Sequence, residues 1–164
     1  MFCYVLTKFE PKAIRMKTKI LILLALPLLY LGCNKDTYTT KPQISVKSIN
    51  KKTLNLGDAL IFQIEFTDAE GDVQDTLWVQ KISKVCHSTP GVDFVSVNRV
   101  PNFDPISNLK GIFEIGYSYG VSGEYKTING CPNKNDTCYF KFWMKDKANN
   151  KSDTISTDNI VLLK

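Results

Sequence analysis

Alternation of apolar and polar residues dominates the chain. Over residues 59–67, Leu60, Phe62, Ile64 and Phe66 alternate with Ile61, Gln63, Glu65 and Thr67, the two-residue period of a strand with one face in a core and the other mostly wet. The period returns over 111–120, where Phe113, Ile115, Tyr117 and Tyr119 face Glu114, Gly116 and Ser118. It returns again over 138–146, where Phe140, Phe142 and Met144 oppose Lys141 and Lys145. Ile44 and Val46 predict a first strand, and Leu54 and Leu56 lead into a turn at Gly57-Asp58. Further strands are predicted over 76–85, 92–100 and 155–163. In the first of these Leu77, Trp78, Val79 and Ile82 populate both faces, so periodicity leaves its inward side unassigned. Pro101 and Pro105 end the 92–100 strand, because proline has no N–H to give a ladder. No segment carries a helical period. About seven strands at these spacings predict an all-β, single antiparallel sandwich over residues 43–164.

The central strand runs into an acidic turn. Asp68, Glu70 and Asp72 fall at every second position, and Gly71 supplies the backbone freedom to fold their carboxylates toward one point. In a sandwich of this kind the turn after the 59–67 strand and the turn after the 138–146 strand share a pole, so Asp146 is expected to approach them. Several carboxylates with turn carbonyls would supply the six to eight oxygens that calcium accepts. The alternative is a solvated acidic turn that needs only Gly71.

A different pattern fills the front of the chain. From Met16 it reads M-K-T-K-I-L-I-L-L-A-L-P-L-L-Y-L-G-C: a short basic region, an apolar run over 20–31, then Gly32-Cys33. A membrane-spanning helix needs about 20 apolar residues; this run is shorter and Pro27 interrupts it. Gly32-Cys33 resembles the lipobox of bacterial lipoproteins, with Tyr30 where leucine is usual. The resemblance implies that residues 16–32 are a signal peptide, that 1–32 are lost, and that Cys33 becomes a diacylated, palmitate-bearing N-terminus. Two acyl chains meet the requirement for stable membrane attachment. Residues 1–15 match no part of such a leader and read as sequence upstream of the true start. Residues 33–42, polar and ending at Pro42, read as a flexible tether. Lys35-Asp36 resembles the sorting signals of lipoproteins that Gram-negative bacteria send across the outer membrane, leaving surface-exposed and periplasmic-facing placement both open.

Without residues 1–32 the chain keeps 132 residues, 16 basic and 15 acidic, enough for one domain and its core. A nearly neutral domain with scattered lysines has no basic stripe for phosphate backbones, which argues against nucleic acid.

The run F-x-I-x-F-x-D-x-E-G-D-V, the following D-T-L-W-V and the late F-W-M-K-D-K-A-N-N-K-S-D resemble bacterial immunoglobulin-like domains of the cadherin-like and fibronectin-like kind. Residues 145–152 are similar to the D-x-A-G-N-x-S turn between their last strands, with Asn149 where glycine often stands. The resemblance implies an immunoglobulin-like sandwich, and that calcium held by Asp68, Glu70, Asp72 and Asp146 matches what cadherin-like turns do. A fold does not fix a function.

Apart from Cys3 and Cys33, Cys86, Cys131 and Cys138 remain, an odd number for an oxidising compartment. One disulfide and one free thiol is the simplest outcome. Cys131 with Cys138 would close a local loop; Cys86 with Cys138 is the alternative, since both lie at the pole opposite the acids. A Cys/His metal site is disfavoured, because adjacent Cys86 and His87 on a strand would point to opposite faces.

Catalysis finds little support. His87 is the only histidine and reads as a loop residue before Pro90, and no nucleophile elbow or zinc-hydrolase signature is present. Asp75-Thr76-Leu77 and Asp153-Thr154-Ile155 resemble sites that some bacteria O-glycosylate. The expected function is therefore a non-catalytic envelope module. It would be anchored through the lipid on Cys33 in the outer membrane of a Gram-negative bacterium, holding protein or glycan through loops and aromatics such as Phe94, Phe103 and Tyr125. The alternative is a structural accessory subunit of an envelope complex. A contiguous exposed aromatic patch would favour the first reading and uniformly charged faces the second.

Overall fold

The computed structural model describes residues 37–164. The leader over 1–32, the lipidation site Cys33 and the Lys35-Asp36 pair lie outside the described residues. Among the described residues there is no helix, and ten strands form two sheets. The first sheet orders β1 (Gln43–Ile49), β3 (Ala59–Asp68), β6 (Leu109–Tyr119) and β7 (Lys126–Ile128). The second orders β2 (Thr53–Leu54), β10 (Ile160–Leu162), β8 (Asp136–Lys145), β4 (Thr76–Ser83) and β5 (Phe94–Arg99), with β9 (Ile155–Ser156) also on β8.

Two expectations need correction. The sheets are mixed rather than antiparallel throughout, since β2 runs parallel to β10 and β7 parallel to β6. The strands outnumber seven because short pieces pair separately. Residues 155–163, read as one strand, split into β9 and β10.

The long strands follow their alternation. β3 and β6 pair through ten residues, Ala59 with Ser118 to Asp68 with Leu109. β4 and β8 pair through eight, Thr76 with Lys145 to Ser83 with Cys138. Leu60, Phe62 and Ile64 of the first sheet meet Val79, Phe140, Phe142, Ile160 and Leu162 of the second in one apolar cluster. Its centre is aromatic: the Phe62 ring lies 4.8 Å from Phe140, 5.2 Å from Phe142 and 6.3 Å from Tyr117, tilted and edge-on arrangements that suit ring quadrupoles. A smaller cluster of Phe66, Val73, Leu77 and Met144 closes the end beneath the acidic turn.

β4 is the strand whose inward side the pattern left open. Leu77, Val79, Lys81 and Ser83 point inward; Trp78, Gln80 and Ile82 do not. Lys81 is fully buried, its Nζ 3.1 Å from Asp136 and 3.0 Å from the Val92 carbonyl, while Ser83 Oγ donates to Asp136 at 2.5 Å. An inward lysine and an outward tryptophan make this strand unreadable from hydrophobicity alone.

Candidate functional site

The end where β3 stops and β8 stops gathers the predicted acids. Asp68, Asp72 and Asp146 each place a carboxylate oxygen within 4.8 Å of the others. Asp68 and Asp146 are fully buried. Glu70, expected among them, is exposed and outside the trio. Gly71 explains why: its positive φ of 71° turns the chain so that its own N–H and that of Asp72 donate to Asp68 Oδ2, at 2.6 and 3.2 Å, leaving Glu70 at the apex of the turn. A Cβ on Gly71 would fall 2.1 Å from the Ile106 carbonyl oxygen, so the site also depends on close approach of the 100–108 loop.

Asp146 is fixed from its own side. Its Oδ1 accepts from the Asn150 N–H at 2.7 Å and its Oδ2 from Asn150 Nδ2 at 2.8 Å. Asn149, at φ 68°, occupies the left-handed region that asparagine tolerates. The Lys147 N–H donates to the Asp72 carbonyl at 3.0 Å, tying the two turns together. Asp68 Oδ1 is buried and has no hydrogen-bond partner. Burial pushes the Asp68 carboxyl above the usual carboxylate range; the Gly71 and Asp72 N–H groups pull it back and the Asp72 and Glu70 charges push the same way as burial. An orphaned buried oxygen beside two more carboxylates is a donor set suited to a hard cation.

The opposite end holds the cysteines, in a pairing the sequence did not suggest. Cys86 is bonded to Cys131, with Cα atoms 5.9 Å apart, and Cys138 is a buried free thiol. Neither pairing through Cys138 forms, because residue 138 shares the inward phase of Phe140, Phe142 and Met144 and its side chain lies in the core. Burial pushes that thiol up to about 12. A cleft of about 530 Å³ opens beside the disulfide, lined by Lys84, His87, Cys131 and Lys134 among others, away from the acids. His87 stands exposed there and pairs with Asp93.

The aromatics singled out from sequence distribute differently from expectation. Phe94 packs on the core, its ring 5.6 Å from Tyr117, and Tyr125 is half-buried against Gly116; Phe103 is exposed. A further aromatic surface, partly exposed, lies on the outer face of the second sheet. Cross-strand register places Val97, Trp78 and Trp143 in one row, Val95, Gln80 and Lys141 in the next, and Ile82 beside Tyr139 beyond them. The Trp78 and Trp143 rings stack at 6.1 Å and 5°. Val95 and Val97 are 55% and 57% exposed. Lys151 lies 5.5 Å over Trp143, and Lys84 and Lys141 lie 5.5 and 5.8 Å over Tyr139. The signal for this face was the parity of Trp143, opposite Phe142 and Met144, together with β4 once its register is known.

No family model matches the chain, and no curated protein does. Two solved structures are similar in outline. The sporulation control protein Spo0M from Bacillus subtilis superposes with a TM-score of 0.43 at 6% identity, over 77% of this chain and 51% of that one, so the chain spans about half its length. A Niemann-Pick type C2 protein from the Japanese carpenter ant gives 0.37 at 9% identity, over 80% and 98%.

Proposed function

We propose that this chain is a lipid-anchored module of the outer membrane of a Gram-negative bacterium, an immunoglobulin-like sandwich tethered from an acylated Cys33, which holds protein or glycan without catalysis. The leader's pattern supports the anchor. The sheet order supports the fold: the chain crosses from β1 in one sheet to β2 in the other, and β8 sits between β4 and β10. One observation carries the binding role over the structural one, the partly exposed outer face of Val97, Trp78, Trp143, Tyr139 and Ile82, which no strand among the described residues covers.

The acidic pole enters this reading as a calcium site, with Asp68, Asp72 and Asp146 as ligands and Asp68 Oδ1 as the group that most needs a cation. Calcium there would lock the 69–75 turn to the 146–152 turn and stiffen one end of the module. It would supply charge compensation, not chemistry.

The test is photo-crosslinking from position 97, with the full chain in its own envelope. Adducts from this position, absent from a control position on β1, are expected. After complete photolysis, no more adducts from position 97 than from the β1 control would refute the binding role. Intact mass of the membrane-extracted chain reads the anchor: it predicts cleavage before Cys33 and acylation of its thiol and amine.

A further inference from the structure

We infer that the outer face of the second sheet binds an acidic polysaccharide, a uronate-rich or sulfated chain, deepening and resting on the envelope-module reading above. The face combines two features that together fit one kind of partner. The first is its cations. Register puts Arg99, Thr76 and Lys145 in one row across β5, β4 and β8, and Lys141 stands four residues from Lys145 along β8, about 13 Å at ~3.3 Å per residue. Lys151 lies over Trp143 next to this row, and Lys84 lies over Tyr139 toward the other end of the face. None of the ion pairs between described residues engages Arg99, Lys84, Lys141, Lys145 or Lys151; the paired lysines are 41, 51, 52, 81 and 110. The outward positions of β4, β5 and β8 include no acid: Thr76, Trp78, Gln80 and Ile82; Val95, Val97 and Arg99; Thr137, Tyr139, Lys141, Trp143 and Lys145. Charge complementarity therefore calls for an anion, and cations spread over a flat sheet call for a polyanion rather than one buried group.

The second feature is the aromatic ladder between those cations. The partly exposed Trp78 and Trp143 offer apolar ring surface that a charged polymer alone would not use, whereas sugar rings present C–H faces that stack on indole while their carboxylates or sulfates reach the lysines. Four of the five cations are lysine, a mobile point charge that follows irregularly spaced anions; a protein interface would be depleted in lysine at its centre. Single-stranded nucleic acid would satisfy the same two features. An envelope location disfavours it, and it serves below as a discriminating ligand.

The test is affinity electrophoresis of the full chain in non-ionic detergent through gels containing polygalacturonate, neutral dextran or oligo(dT). Retardation by polygalacturonate but not dextran is expected, weakening at least about tenfold as NaCl rises from ~0.05 to ~0.5 M. Lys141→Glu with Lys145→Glu is expected to cost about tenfold or more, and Trp143→Ala a similar factor. Because Trp143→Ala could disturb the sheet, Trp143→Phe is expected to restore most of the binding, with unchanged circular dichroism in all variants. No retardation by polygalacturonate, equal retardation by dextran, insensitivity to the charge reversal, or stronger retardation by oligo(dT) would each overturn the inference. The crosslink at position 97 separates the two levels. Protein adducts with no polygalacturonate binding sink the glycan assignment and leave the module reading standing; absence of both sinks the two together.

Discussion

Asp136→Ala offers the sharpest test of how this small core is held. Lys81 Nζ and Asp136 Oδ2 lie 3.1 Å apart with both side chains wholly shielded from water. Removing the carboxylate leaves Lys81 with only the Val92 carbonyl and deprives Ser83 Oγ of its 2.5 Å acceptor. A buried charge stripped of its partner costs about 3–5 kcal/mol. For a domain of this size each kcal/mol moves Tm by about 3–5 °C, so a fall of about 10–20 °C is expected. With a urea m-value near ~2 kcal/mol/M the midpoint should drop by about 1.5–2.5 M. Lys81→Met should cost nearly as much, since it leaves Asp136 held by Ser83 without its cation. The double variant Lys81→Met/Asp136→Leu removes both charges and substitutes apolar volume, and is expected within about 1–2 kcal/mol of the native chain. Chemical unfolding of the four species closes the cycle. If the single variants cost under about 1 kcal/mol, or the double costs their sum, the pair is not a mutually dependent buried contact and the reasoning fails.

Four further outcomes follow from other parts of the fold. Because burial raises the Asp68 carboxyl, the metal-free protein should lose stability as pH rises from the unfolded carboxylate range through the folded value. Asp68→Asn should flatten that loss and abolish the Tm gain on adding calcium, whereas a calcium-independent native Tm would remove the metal. Gly71→Ala, at φ 71° with its Cβ 2.1 Å from the Ile106 carbonyl, should cost more than the ~1 kcal/mol of an ordinary strained alanine, read by urea unfolding. Reducing Cys86–Cys131, which span 45 residues, should cost up to about 4 kcal/mol by loop entropy. Peptide mapping should find Cys138 unalkylated by iodoacetamide until guanidinium is added, as a buried thiol pushed up to about 12 requires.

The long strands were legible because large apolar residues hold every second position, Leu60 to Phe66 and Phe140 to Met144, with Ile61 and Trp143 the apolar residues on the outer side. The convergence of Asp146 on Asp68 and Asp72 was legible too, since it needs only that two turns share a pole. Three things were not. β4 hid its register by burying Lys81 and turning Trp78 outward, an inversion whose cause, Asp136, lies 55 residues away. The disulfide was obscured by loop proximity, which favoured Cys131 with Cys138, although parity alone sends Cys138 into the core with Phe140. Phe94 gave no local hint of its direction; only pairing of β5 with β4 turns it inward and leaves Val95 and Val97 outside.

The passage of the chain from β1 to β2 has a mechanical consequence. These consecutive strands, separated by residues 50–52, belong to opposite sheets, β1 laid along β3 and β2 clasped to β10 by bonds from Val161 to the Lys52 carbonyl and from Leu163 to that of Leu54. A pull arriving from the N-terminal side loads β1 first, and tearing it free drags on the strand that closes the other layer. Such a front end works as a rivet. Under sustained load the two layers would part together rather than one by one, so bond lifetime under force would be set by a single unfolding barrier.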